Sequence, residues 1–297
     1  MKIKRIIGRL KRNYYVEKAR LNFSFIRSSL RGKAPLIVYQ MGKVGSSTIV
    51  ESLKTSDPDR YVYQVHYLTH KEIDTIRNIY YGQSSGILNK RFLTRSQHLL
   101  ESEYLRKQLD KGINGRKWKI VTLVREPVAR NISSFFQILD LSLPDYVKQY
   151  QNGSLDTENL IDRFLNDHEL QAMPLSWFDT QLKAVFDIDV FAHEFPASKG
   201  YQIIEGDYAD VLLLRLENLN EVSERAFKEF LDIDNFSLVK ANIARNKDYY
   251  SAYKDVVNAI ELPDSYLDKM YTAKYARHFY DDDEISRFKA KWSARRT

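Results

Sequence analysis

One stretch limits the folds open to this chain more than any other. Residues 35–40 (PLIVYQ) form a compact apolar, β-branched run entered through a proline, the composition of a buried strand. The run passes into Met41-Gly42-Lys43-Val44-Gly45-Ser46-Ser47-Thr48 and then into a helical pattern over residues 49–54. Strand, glycine loop and helix in that order open a phosphate-binding α/β unit. A chain that begins this way is expected to build a mainly parallel sheet with its ligand at the carboxyl edge.

The remaining pattern fits that expectation. Residues 61–67 (YVYQVHY) and 118–124 (WKIVTLV) read as further strands, and later strands are expected at 201–204 and 211–216. Thr69 and Glu72 have capping-box spacing before a helix over 70–81, and further helices are expected at 96–111, 128–139 and 221–231. Residues 143–186 are helical in pattern, with breaks expected at Pro144, Gly153 and Pro174. C-terminal helices are expected at 249–259, 264–280 and 283–292. No repeat or linker divides residues 35–297, which read as a single open, mainly parallel α/β domain of P-loop type, flanked by helices, with a helical insertion and a helical C-terminal region.

Helix N-termini carry unpaired N–H groups and the positive end of the helix dipole, so the loop at 42–48 is a candidate anion site. Gly42 and Gly45 allow close backbone approach, Val44 lies between them, Ser46, Ser47 and Thr48 add hydroxyls, and Lys43 adds a charge. The loop does not fit G-x-x-x-x-G-K-[ST], because its lysine precedes the second glycine. A Lys shortly before Gly-[ST]-[ST] resembles the 5′-phosphosulfate loop of sulfotransferases. A glycine–serine turn with no ligand fits this loop equally well.

A second constellation favours the ligand. After the third strand the chain reads Arg125-Glu126-Pro127-Val128-Ala129-Arg130-Asn131-Ile132-Ser133-Ser134-Phe135-Phe136. An arginine at a strand's carboxyl end can grip a phosphate, and a serine eight residues on lies about two helical turns away. Strand, V-R-E-P and an Arg–Ser pair at that spacing resemble the 3′-phosphate motif of the sulfotransferase superfamily. Residues 211–219 (VLLLRLENL) are similar to a late strand and turn of those enzymes, with Asn218 where Asp is usual. Trp177-Phe178-Asp179, residues 185–190 (VFDIDV) and Asn246-Lys247-Asp248-Tyr249-Tyr250 resemble a bacterial group labelled capsular polysaccharide synthesis proteins. The motif-bearing likeness spans roughly residues 35–250.

The resemblance implies 3′-phosphoadenosine 5′-phosphosulfate (PAPS) as donor, with no metal, and a glycan, glycolipid or similar hydroxyl or amine as acceptor. It implies that Lys43 and residues 45–48 hold the 5′-phosphosulfate and that Arg125 with Ser133 holds the 3′-phosphate. An attacking hydroxyl must lose its proton, so a general base is expected. His66, at the end of the second strand, is the first candidate, and His70, His98 and Glu101 are alternatives. A histidine in an apolar strand also serves as a hydrogen-bonded core residue. Residues 242–247 fall where many sulfotransferases carry a basic loop over the nucleotide, without the usual glycines.

The charge is divided. The chain has 297 residues and a formal charge of +7. Residues 1–34 contain eleven basic residues and only Glu17 as an acid, a net +10, which leaves −3 on the rest. With apolar residues at Ile3, Ile6, Ile7, Leu10, Tyr14 and Tyr15, this leader suits an anionic membrane surface, an acidic partner or simple packing on the domain. Confinement of the excess charge to the leader argues against nucleic acid as a partner. The chain has no cysteine, which excludes disulfides and thiolate chemistry. No run of about 18 uncharged apolar residues occurs. A cytoplasmic location, at the inner face of the cytoplasmic membrane if the leader binds lipid, is the resulting expectation. The competing functions are a kinase-like transferase and a non-catalytic scaffold in polysaccharide assembly.

Overall fold

Five strands build one sheet in the computed structural model, which describes residues 16, 19–27, 30, 36–82, 90–112, 117–239 and 247–293. They are β1 (Leu36–Tyr39), β2 (Val62–Val65), β3 (Trp118–Val124), β4 (Tyr201–Glu205) and β5 (Ala209–Arg215). Their order is β2-β1-β3-β5-β4; the first four run parallel, and β4 pairs antiparallel to β5 at the edge. Every residue of β1 is buried, as are all but one in each of β3 and β5. Cover on both faces accounts for their continuous apolar sequence. The chain leaves β1 for β2 on one side and returns to β3 on the other, so the winding reverses between β1 and β3. The crevice outside the carboxyl ends of those two strands is where open α/β sheets take ligands.

Helices follow β1, β2, β3 and β5, whereas β4 turns directly into β5. Residues 19–27 form α1, followed by α2 (Ser46–Ser56), α3 (His70–Gly82), α4 (Lys90–Asp110) and α5 (Pro127–Ser142). The insertion comprises α6 (Tyr146–Gln151), α7 (Thr157–Leu165), α8 (His168–Trp177), a π-helical segment (Phe178–Lys183) and α9 (Ala184–Phe186). Beyond β5 lie α10 (Leu219–Leu231), α11 (Tyr250–Ala259), α12 (Asp264–Tyr271), α13 (Lys274–Phe279) and α14 (Asp282–Trp292).

Three sequence expectations change. Pro174 lies inside α8 rather than ending it, and the winding widens to π from Phe178. The helix expected over 264–280 divides at Thr272-Ala273, where Ala273 is extended and caps α13. The helix after the glycine loop starts at Ser46, not Ile49, so Ser46, Ser47 and Thr48 form its first turn.

Two apolar cores result. One fills the sheet and includes Trp177, Phe178 and Phe186 from the insertion. The other joins Val128, Ile132, Phe135 and Phe136 of α5 to α7, α11, α12 and Trp292. Thus α5, which starts at the carboxyl end of β3, is clamped by the C-terminal helices.

Candidate functional site

The loop between β1 and α2 has an unusual backbone. Lys43 has φ 74° and Gly45 has φ 100°, both left-handed. A lysine in that region is strained, and strain of this kind gathers at ligand sites. Val44, fully buried, anchors the loop in the sheet core. Gly45 caps α2 without any side-chain cap, and no acid occupies the first turn. Thr48 N and Ile49 N donate to Gly45 O at 3.1 and 3.3 Å, so the helix closes on the glycine and turns the positive end of its dipole toward the loop.

The two glycines serve different ends. A Cβ on Gly45 would lie 2.8 Å from Leu216 Cδ1, in a conformation only glycine adopts freely, whereas a Cβ on Gly42 would meet nothing within 4 Å. Gly45→Ala should therefore cost about 1–3 kcal/mol in urea unfolding, while Gly42→Ala leaves stability nearly unchanged. Equal stability of the two variants would contradict this.

Cations gather on the loop's carbonyls. Arg125 Nη1 donates to Lys43 O at 3.1 Å, and Arg130 Nε donates to Gly42 O at 3.1 Å. Among the described residues Lys43 makes no ion pair with a carboxylate. Burial, reinforced by the charges of Lys247, Arg125 and Arg130, pushes the Lys43 ammonium down to about 8. Arg130, only 1% exposed, is pushed down to about 10, chiefly by burial. Arg130 is not among the site residues expected from the sequence, whereas Lys247 belongs to the basic run 242–247 expected over the nucleotide. The spacing of Arg130 within α5 and the basic character of residues 242–247 were the available signals. Residues 242–246 themselves lie outside the described residues.

The turn that presents Arg125 is fixed from three sides. Its backbone N–H donates to Tyr275 Oη (3.1 Å), and that hydroxyl donates to Arg125 O (2.9 Å). Glu126 N donates to Glu217 Oε1 at 2.8 Å. The Glu126 carboxylate caps α5 by accepting from Val128 N and Ala129 N, both at 2.8 Å. It also accepts from Tyr271 Oη (2.5 Å) and Trp292 Nε1 (3.3 Å). This N-terminus has an acidic side-chain cap from within the fold, whereas α2 has no side-chain cap.

His66 directly follows β2 and reaches the same edge. Its Nδ1 lies 2.8 Å from Gln40 O; a carbonyl only accepts, so Nδ1 carries the proton and Nε2 carries the lone pair. Trp177 Nε1 donates to His66 O at 3.0 Å. Burial, then His98, then the charges of Arg130 and Lys43 push His66 down to about 4, so it is neutral at pH 7. Gln40, fully buried, leaves both side-chain amide atoms without a partner.

The alternative bases separate clearly. His98 sits 5.3 Å from His66, ring centre to ring centre, with its own Nδ1 bound to Gln64 O at 2.8 Å. Buried Glu101 accepts from Gln64 N and Tyr61 Oη and is pushed up to about 7 by burial, so it braces β2. His70 is mostly exposed and pairs with Asp110, away from the loop. Ser133 is half-buried on α5, one turn past Arg130, and no hydrogen bond joins it to Arg125. Among the described residues no helix is long and apolar enough to cross a membrane.

A family model described as "Putative capsular polysaccharide synthesis protein" matches residues 146–281. Neither a curated protein nor a solved structure matches the chain. The matched segment contributes much of the site's bracing: Trp177 to His66, Tyr275 to Arg125, Glu217 to Glu126 and the charge of Lys247 beside Lys43.

Proposed function

We propose that the chain is a sulfotransferase that uses PAPS to modify a hydroxyl or amine of a glycan-type acceptor in capsular polysaccharide synthesis. The observation that carries this reading is the convergence of Lys43, Arg125, Arg130 and Lys247 on a glycine loop at an uncapped helix N-terminus, where the winding of the sheet reverses. That arrangement favours an anionic ligand. The position of Lys43 ahead of Gly45 favours a phosphosulfate over a nucleoside triphosphate, by resemblance. The acceptor class rests on the description of the matching family. Open space above Gly42 and the orphaned amide of Gln40 suit a bound polar group.

PAPS supplies an activated sulfuryl group on a phosphate leaving group. Lys43 and the N–H groups at the start of α2 neutralise charge that develops on that phosphate, which is the main requirement of such an in-line transfer. Arg125 and Ser133 bind the 3′-phosphate. His66 Nε2 accepts the proton of the attacking hydroxyl. A bound anion offsets the charges of Lys43 and Arg130, and so raises the proton affinity of His66 when it is needed.

His66→Gln should lower turnover by about a hundredfold or more while leaving affinity for adenosine 3′,5′-bisphosphate intact. Near-normal turnover in that variant removes His66 from the chemistry. The function itself is tested by giving purified protein radiolabelled PAPS with capsular glycan precursors. Label in the glycan fraction is expected; PAPS left intact across all glycan acceptors tried overturns the assignment.

A further inference from the structure

The apolar residues named in the leader lie outside the described residues, but the adjoining segment shows a second stripe. Backbone at residues 16, 19–27 and 30 is helical. Val16, Ala19, Phe23, Ile26 and Leu30 recur at alternating intervals of three and four, which puts them on one helical face. All five are exposed, the large ones at 58% for Val16, 67% for Phe23, 56% for Ile26 and 83% for Leu30.

The opposite face of α1 is docked. Leu21 is 2% exposed in the sheet core, and the ring of Phe25 packs edge-on to Tyr104 of α4 at 6.1 Å. Along the edge of the exposed stripe, Arg20 donates to Tyr61 Oη at 3.4 Å and Arg27 pairs with Asp59 at 2.9 Å. The outward stripe therefore does not face out because the helix is loose; its other side is held by the body of the protein.

We propose that this face is a membrane-surface site, in which Phe23, Ile26 and Leu30 enter the headgroup region of an anionic bilayer. Two features select that occupant. The segment carries +10 over residues 1–34, which matches anionic lipid. A second copy of the chain would bring a second +10 against the first, and like charge opposes that pairing even though the spacing suits a helix pair. Apolar insertion and basic charge together supply the two signals that stable surface binding requires. Because α1 is docked on Tyr61 and α4, binding fixes the orientation of the whole sheet relative to the bilayer.

The test is co-sedimentation of the full chain with vesicles of phosphatidylcholine alone and of phosphatidylcholine mixed with phosphatidylglycerol, alongside a variant carrying Phe23→Ser, Ile26→Ser and Leu30→Ser. These side chains are exposed, so the variant keeps its fold, which circular dichroism verifies. Wild-type protein is expected to sediment with the mixed vesicles only, and the variant's partitioning should fall by about tenfold or more. Equal binding by the variant would leave the basic residues as the whole cause and overturn the proposal. Absence of wild-type binding also overturns it, as does a wild-type dimer that the variant converts to monomer. None of these readouts depends on PAPS or turnover, so the result is independent of the proposed reaction.

Discussion

Replacing Lys43 with methionine should do two opposite things: abolish anion binding and make the ligand-free protein more stable. In the folded chain the ammonium is pushed down to about 8 from its ordinary 10.5 by burial and by three neighbouring cations. The folded value is the lower one, so the cost to the fold is full below pH 8 and fades between pH 8 and 10.5. A depression of that size corresponds to roughly 3 kcal/mol. Methionine keeps the stem and removes the charge, so thermal scans at pH 7 should show a rise of several degrees. Affinity for adenosine 3′,5′-bisphosphate should fall by about a hundredfold or more, since a desolvated charge-assisted contact is lost. In the wild type, affinity should weaken as pH rises through 8. A Lys43→Met variant that is less stable, yet still binds, would contradict this reading of the loop.

Glu126→Ala should produce the largest loss of stability, about 3–5 kcal/mol in urea unfolding. The substitution orphans four buried or half-buried donors at once: Val128 N, Ala129 N, Tyr271 Oη and Trp292 Nε1. It also frees the start of α5, which holds Arg125 and Arg130 against the loop, so bisphosphate affinity should fall with stability. Glu126→Gln retains one acceptor oxygen and should lose roughly half as much. A cost below about 1 kcal/mol for the alanine variant would show that α5 does not depend on this cap.

What could be read from sequence follows how local each feature is. β3 was legible to the residue, because burial on both faces writes a continuous apolar run over 118–124. β2 is shorter than its apolar pattern, since Tyr61 turns to Glu101 and Arg20, and His66 turns to Gln40 O. The loop at 42–48 was visible as glycines and hydroxyls, but the left-handed turn at Lys43 was not. Arg130 was hidden because its relation to Lys43 is set by how α5 packs, which no short-range pattern encodes, whereas the basic run at 242–247 pointed to the nucleotide and the fold sets the charge of Lys247 beside Lys43. For the same reason Glu126 read as part of a motif, whereas its place as a hub depends on Tyr271 and Trp292, more than a hundred residues away. Division of the helix at Thr272-Ala273 had no glycine or proline to announce it.

We propose above all that the loop at 42–48 binds the 5′-phosphate, and Arg125 with Ser133 the 3′-phosphate, of a 3′-phosphorylated adenine nucleotide. Calorimetric titration of the full chain with adenosine 3′,5′-bisphosphate, with ATP as the competing ligand and Arg125→Ala and Lys43→Met as variants, tests it most directly. The account predicts saturable, selective bisphosphate binding that both variants lose. Equal or tighter binding of ATP, or bisphosphate binding that survives both substitutions, would contradict it.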